Sequence, residues 1–138
     1  MKTERLRNPA LAAILPIVLV PTLHFAGVWI WAGAHPIWSL KGSLIGLAIG
    51  LVAYLIAAVF AWRHPSKLTI VALGFVGTLI VATIVALNGK AGFVASYAED
   101  GFAGRVWFYG YIAAAGGFAA SLATIALMLL RLRPGAQY

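Results

Sequence analysis

The chain has 138 residues, of which 63% are hydrophobic and only 9% charged, with a formal net charge of +7. Soluble domains run at roughly 45–50% apolar and about 25% charged, and a small water-exposed fold cannot hide this much apolar surface. A soluble enzyme, a nucleic-acid-binding domain and a disordered tail are therefore excluded. The ten basic residues are spread thinly and form no basic patch that would attract nucleic acid. No cysteine is present, which removes disulfides, thiolate metal sites and thiol catalysis.

A hydrocarbon core about 30 Å thick needs about 20 helical residues at 1.5 Å each. Four stretches reach that length, and the fold expected is an all-α integral membrane bundle of four transmembrane helices in a single domain. The first stretch covers about residues 9–31 and carries Pro16 and Pro21 in its interior. Each proline lacks an N–H and frees a carbonyl one turn earlier, at Ala12 and Ile17. Ala32-Gly33-Ala34 resembles a signal cleavage site, but the apolar run is far longer than the ~7–15 residues of a signal core. The stretch reads as an anchor.

The second stretch covers about residues 42–62, bounded by Ala34-His35-Pro36 before it and His64-Pro65-Ser66 after it. Proline disfavours helical geometry in the residue that precedes it, so both are natural breaks. The third covers about 68–87 and is expected to end at the turn dipeptide Asn88-Gly89. An outer loop over residues 88–105 follows, in which Phe93, Val94 and Tyr97 are expected to share one face of a short interfacial helix. That helix would rest on the membrane surface or dock a partner. The fourth stretch covers about 106–130 and ends at basic residues and Pro134. None of the four contains Asp, Glu, Lys or Arg in its interior.

Orientation follows from the flanking charges. Lys2, Arg5, Arg7, Arg63, Lys67, Arg131 and Arg133 lie on one side, and Lys41, Lys90 and Arg105 on the other. Short basic segments stay in the cytoplasm, so both termini are expected inside, in a bacterial inner membrane. Trp29, Trp31, Trp38 and Trp107 then fall at the outer interface and Trp62 at the inner one, as an aromatic belt would place them.

Small residues recur at helical spacing. Gly42, Gly46 and Gly50 stand four apart, as do Gly74, Thr78, Ala82 and Ala86, while Gly110, Ala114, Gly117, Ser121 and Thr124 alternate four and three. Small side chains let helix backbones approach closely in lipid, where the hydrophobic effect does not distinguish leucine from its surroundings. Two readings stay open: a seam that packs the bundle, or a face that docks another subunit. Trp107 and Tyr111, in an aromatic-rich start to the fourth stretch, are expected to anchor such a partner.

His24 is the ionisable residue well inside a stretch, and intramembrane ionisable groups are functional candidates by default. It reads as a neutral imidazole bonded to a neighbouring helix, as an axial ligand to haem or chlorophyll, or as a hydrogen-bond donor to a quinone. His24 and His35 would stand ~16 Å apart along a helix, and His64 lies across the membrane, so intramolecular bis-histidine haem is excluded. Three scattered histidines without clustered carboxylates make no zinc or di-metal site, and no cofactor is required by the residues present.

Enzymatic function is the weakest class, since no catalytic constellation or phosphate-cradling loop is present. Proton-coupled transport through a buried carboxylate is excluded, because the stretches hold none. What remains is a non-catalytic accessory or structural subunit of a larger membrane complex, respiratory or photosynthetic. The alternative is a small oligomeric transporter or channel. The expected partners are the lipid bilayer together with other membrane subunits or further copies of the chain.

Overall fold

A computed structural model describes the backbone of residues 2–132 and the side chains of residues 9–131. Its elements are α1 (Lys2–Phe25), α2 (Val28–Trp31), α3 (Ser39–Arg63), a 3-10 turn (Pro65–Lys67), α4 (Leu68–Ala95) and α5 (Gly101–Leu132). Among the described residues there is no strand. Arg133 and Pro134 lie outside the described residues, as do the side chains of Lys2, Arg5 and Arg7. The helices α3, α4 and α5 are long and apolar enough to cross a membrane, while the apolar part of α1, Pro9–Phe25, is shorter.

The first stretch is not one continuous helix over residues 9–31. It runs unbroken through Pro9, Pro16 and Pro21 but stops at Phe25, and α2 follows as a separate single turn. The stop has a local cause. Gly27 adopts φ 75°, in the left-handed region that ends helices and that glycine enters without a Cβ clash.

The outer loop expected over residues 88–105 is mostly helix. Asn88 stays in α4 and donates from Nδ2 to the Ile84 carbonyl at 2.9 Å, within its own helix. Gly89 is pressed against the backbone of Trp107. A turn dipeptide is thus absorbed by packing, and α4 extends to Ala95. At 1.5 Å per residue α4 is ~42 Å long and α5 ~48 Å, more than a hydrocarbon core of about 30 Å requires. Their shared end is a helical hairpin closed by residues 96–100. There Asp100 Oδ1 accepts from the Phe102 and Ala103 amides at 2.9 and 3.0 Å and caps α5. Phe93, Val94 and Tyr97 do not share a face. Phe93 packs inward beside Trp107, and the other two are exposed.

α5 is the centre of the bundle. It packs against α1, α3 and α4, whereas α3 and α4 scarcely touch each other despite their short connection. Half of the membrane-length stretch in α5 is buried, against 17% in α4. The small-residue stripes make this possible. A Cβ on Gly46 would lie 2.6 Å from the Ile112 carbonyl and from the Ala115 side chain, and one on Gly50 would collide with the Gly116 carbonyl. A Cβ on Gly42 would stand 2.7 Å from the Tyr111 ring. On the opposite side of α5, a Cβ on Gly110 would stand 2.8 Å from the Ala86 backbone and one on Gly117 2.9 Å from the Leu79 backbone. Ser121 and Thr124 are buried and return their hydroxyls to α5's own carbonyls.

The Gly74, Thr78, Ala82, Ala86 stripe does not act as a unit. Ala82 and Ala86 are buried, but Gly74 and Thr78 are exposed. The fully buried residues of α4, Leu68, Ala72, Ala82, Ala86 and Gly89, fall with half-buried Phe75 and Leu79 on one line that alternates four and three, flanked by half-buried Val71, Val76, Gly77 and Thr83. That is the 3.5-residue period of a left-handed helix pair. A strict step of four advances 40° beyond a full turn each time, and on α4 this turns Gly74 and Thr78 out of the contact that Ala82 and Ala86 make.

Replacing Gly46 or Gly117 by leucine is expected to lower stability in detergent by at least about 1–3 kcal/mol, because neither helix can retreat without losing the seam. Gly74→Leu, where a Cβ meets nothing within 4 Å, should stay within about 0.5 kcal/mol of wild type. Thermal unfolding of the three variants measures the difference.

Candidate functional site

The connection from α1 to α3 leaves regular helix over residues 26–38, apart from the single turn of α2. Irregular backbone at the edge of a bilayer needs partners for its carbonyls, since lipid supplies none. An indole supplies one inside this connection, at Gly33, and two further rings tie the flanking helices, at Val20 of α1 and Ser39 of α3. Trp29 Nε1–H donates to the Val20 carbonyl at 3.0 Å, Trp107 Nε1–H to that of Gly33 at 3.0 Å, and Tyr111 O–H to that of Ser39 at 3.0 Å. Gly33 has φ 103° and lies so close to Leu87 that a Cβ would stand 2.9 Å from its methyl group. Trp107 and Tyr111 are buried, so they bind the bundle to its own connection and do not form the outward docking face expected of them.

Around these anchors the rings form one cluster. His35 stacks on Trp38 with centroids 4.2 Å apart and meets Trp107 edge-on at 5.0 Å. The Ile37 amide donates to His35 Nδ1 at 3.2 Å, which places the imidazole proton of the neutral form on Nε2. Phe108 packs edge-on against Trp38 at 5.6 Å, and Phe93 lies 5.9 Å from Trp107. Lys90 Nζ sits 5.8 Å from the centroid of the Trp107 ring, within reach of a cation–π attraction.

Two cavities open here. A small one of about 60 Å³ lies beside Gly33, between Trp29, Leu87, Trp107 and Tyr111. A larger, open one of about 400 Å³ is lined by Trp38, Lys41, Phe93, Arg105, Phe108 and Tyr109, with Gly101 and Gly104 completing its wall. Gly104 is required by Phe93, whose ring would stand 3.1 Å from a Cβ there. Aromatic walls and two cations suit an amphiphilic anion, and the arrangement contains no nucleophile paired with a base.

His24 lies elsewhere. It occupies the last turn of α1, half-buried, with its ring edge-on to Phe25 at 5.4 Å. Among the described residues its Nδ1 is a buried side-chain polar atom without a hydrogen-bond partner. No bond from this nitrogen to a neighbouring helix is present. His24 lines neither cavity. Among the described residues no three His, Asp or Glu side chains stand close enough to share a metal ion.

The residues around the larger cavity were not singled out by sequence reasoning as a site. The available signal was the pairing of an aromatic with a cation at the start of two helices, Trp38 with Lys41 and Arg105 with Phe108 and Tyr109. Among the described residues the fold is all-helical, with three helices long and apolar enough to cross a membrane. Compared with known proteins, the chain matches no family model, no curated protein and no solved structure.

Trp107→Phe keeps the ring in the cluster but strands the Gly33 carbonyl. A buried acceptor without a partner costs about 1–3 kcal/mol, and the melting temperature in detergent should fall accordingly. Trp31→Phe, at an exposed ring, should leave it unchanged.

Proposed function

We propose that the chain is a non-catalytic accessory or structural subunit of a larger membrane protein complex, crossing a bacterial inner membrane four times with both termini in the cytoplasm. One observation carries the reading. The glycines of α3 and α5 that form the stripes are filled by a neighbouring helix, whereas on α4 a Cβ at Gly74 or Gly77 would meet nothing within 4 Å. Glycine weakens a helix by roughly 1 kcal/mol relative to alanine, a cost that lipid contact does not offset and a second helix does. Around these glycines α4 exposes Leu73, Ile80, Val81 and Ile84, an apolar surface that suits another membrane helix.

The conducting alternative has less support. Thr78, Thr83, Ser121 and Thr124 each donate to a carbonyl four residues back in their own helix, so their hydroxyls are spent locally and line no polar track through one protomer. The four-span topology draws support from the arrangement of the ends. Ala12, near the start of the apolar part of α1, shares a buried cluster with Ala61, Leu68 and Leu127 near the end of α5. The start of that apolar part and the end of α5 thus belong to the same end of the bundle, the one carrying Arg63, Lys67 and Arg131. By the positive-inside rule that end is cytoplasmic.

Purification in mild detergent, followed by native mass and an absorption spectrum, tests the role. Co-purifying membrane subunits are expected, with a Soret or chlorophyll band if the complex is respiratory or photosynthetic. Gly74→Leu combined with Gly77→Leu should release them while leaving thermal unfolding unchanged. A chain that purifies alone as a monomer overturns the reading, and a pure homo-oligomer favours the transporter. For the topology, a reporter active only in the periplasm and fused after Tyr138 should be silent. An active reporter reverses the assigned orientation.

A further inference from the structure

We infer that the open cavity between the starts of α3 and α5 binds the phosphodiester headgroup of an anionic phospholipid. Its volume of about 400 Å³ falls in the range of about 300–1,000 Å³ typical of small-ligand sites. Lys41 and Arg105 border it, both exposed, and among the described residues neither forms an ion pair with a carboxylate. Asp100 stands close by in the chain, but its Oδ1 is committed to the first amides of α5.

The electrostatics are unusual for helix starts. Lys41 lies in the first turn of α3, which has no acidic residue in its first turn, and Arg105 lies in the second turn of α5, whose start is capped by Asp100. The N-terminal end of a helix carries partial positive charge, where acids are favoured and cations are not. Lys41 beside the acid-free start of α3, with Arg105 across the same cavity, leaves a positive potential there that the cap charge of Asp100 offsets only in part. A phosphate relieves it, with the planar guanidinium of Arg105 suited to bidentate contact and Lys41 acting as a point charge.

The walls decide between a soluble phosphate and a lipid. Trp38, Phe93, Phe108 and Tyr109 surround the two cations, and a free phosphate gains nothing from them. A glycerophospholipid uses both parts, laying its glycerol and upper acyl segments on the rings. Depth agrees: Lys41 and Arg105 are the last charged residues before the apolar runs of their helices, which places the cavity at headgroup level. A zwitterionic choline headgroup brings its own cation against Lys41 and Arg105 and is disfavoured. The inference needs only the membrane-spanning helices, and it stands whether or not the chain docks a larger complex.

Thermal-shift titration of the detergent-purified protein with phosphatidylglycerol, phosphatidylcholine and soluble glycerol phosphate tests it. Phosphatidylglycerol should stabilise the protein saturably, and the other two should not. K41Q/R105Q should weaken that effect by about thirtyfold, at about fivefold per cation. Gly101→Leu keeps both charges and meets only Arg105 Nη1, at 3.9 Å from its Cβ, so it folds while filling the cavity, and it should also abolish the shift. R63Q/K67Q, at the opposite end of the bundle, should retain it. Equal stabilisation by phosphatidylcholine overturns the site, as does a shift that survives K41Q/R105Q or is lost equally in R63Q/K67Q. Saturation by glycerol phosphate at the same concentration overturns the lipid in favour of a free phosphate.

Discussion

Backbone-to-backbone contact along α5 is the constraint on which the rest of the molecule depends. In lipid, burying a leucine against a neighbouring helix gains little over leaving it against acyl chains, so association relies on dispersion at short range and on close fit. Gly46 and Gly50 bring α3 onto one side of α5, and Gly110 and Gly117 bring α5 onto α4 on another. With α5 wedged between them, α3 and α4 diverge from the tight turn at His64-Pro65 and scarcely meet again. The same wedge leaves most of α4 facing outward. The open space beside Gly74 and Gly77 is a consequence of where α5 lies, since only one face of α4 can reach it.

The opposite end from that turn solves a different problem. The chain must pass from α1 to α3 through residues that are not continuously helical; Trp107 meets the Gly33 carbonyl inside that connection, while Trp29 and Tyr111 meet those of Val20 in α1 and Ser39 in α3 on either side of it. Large rings carrying a single polar tip suit this boundary, because the ring satisfies the apolar surroundings and the tip the carbonyl. Bringing two of those tips from α5 places Phe108 and Tyr109 of the same helix beside Trp38 of the connection. The lipid-sized cavity is therefore a by-product of stapling the connection to α5. Its cations come from the polar ends of helices that outlast the hydrocarbon core.

The breaks at His35-Pro36 and His64-Pro65 were legible because proline acts locally, through φ and the missing N–H. The α5 stripe was legible because its four-and-three spacing is itself the period of a helix pair. Asn88-Gly89 was misleading for the converse reason. A turn dipeptide states a local preference of about 1 kcal/mol, and contact of Gly89 with the Trp107 backbone outweighs it. The break at Gly27 left no comparable mark, since nothing adjoining it distinguishes a helix-ending glycine from one in a seam. Trp107 and Tyr111 were expected from an aromatic-rich stretch to anchor a partner, but which way a ring turns depends on the rotation of α5 about its axis.

Composition and the spacing of apolar residues alone determined an all-helical chain with membrane-length stretches, because those features reflect the solvent and hold whatever packs on what. The tertiary structure decided which stripes face inward, how far α4 and α5 extend past the apolar runs, and that Lys41 and Arg105, 64 positions apart in the chain, border one cavity. These follow from the register and rotation of helices against one another. Register is set by the summed fit of many small contacts between distant residues, and no single stretch of sequence carries that sum.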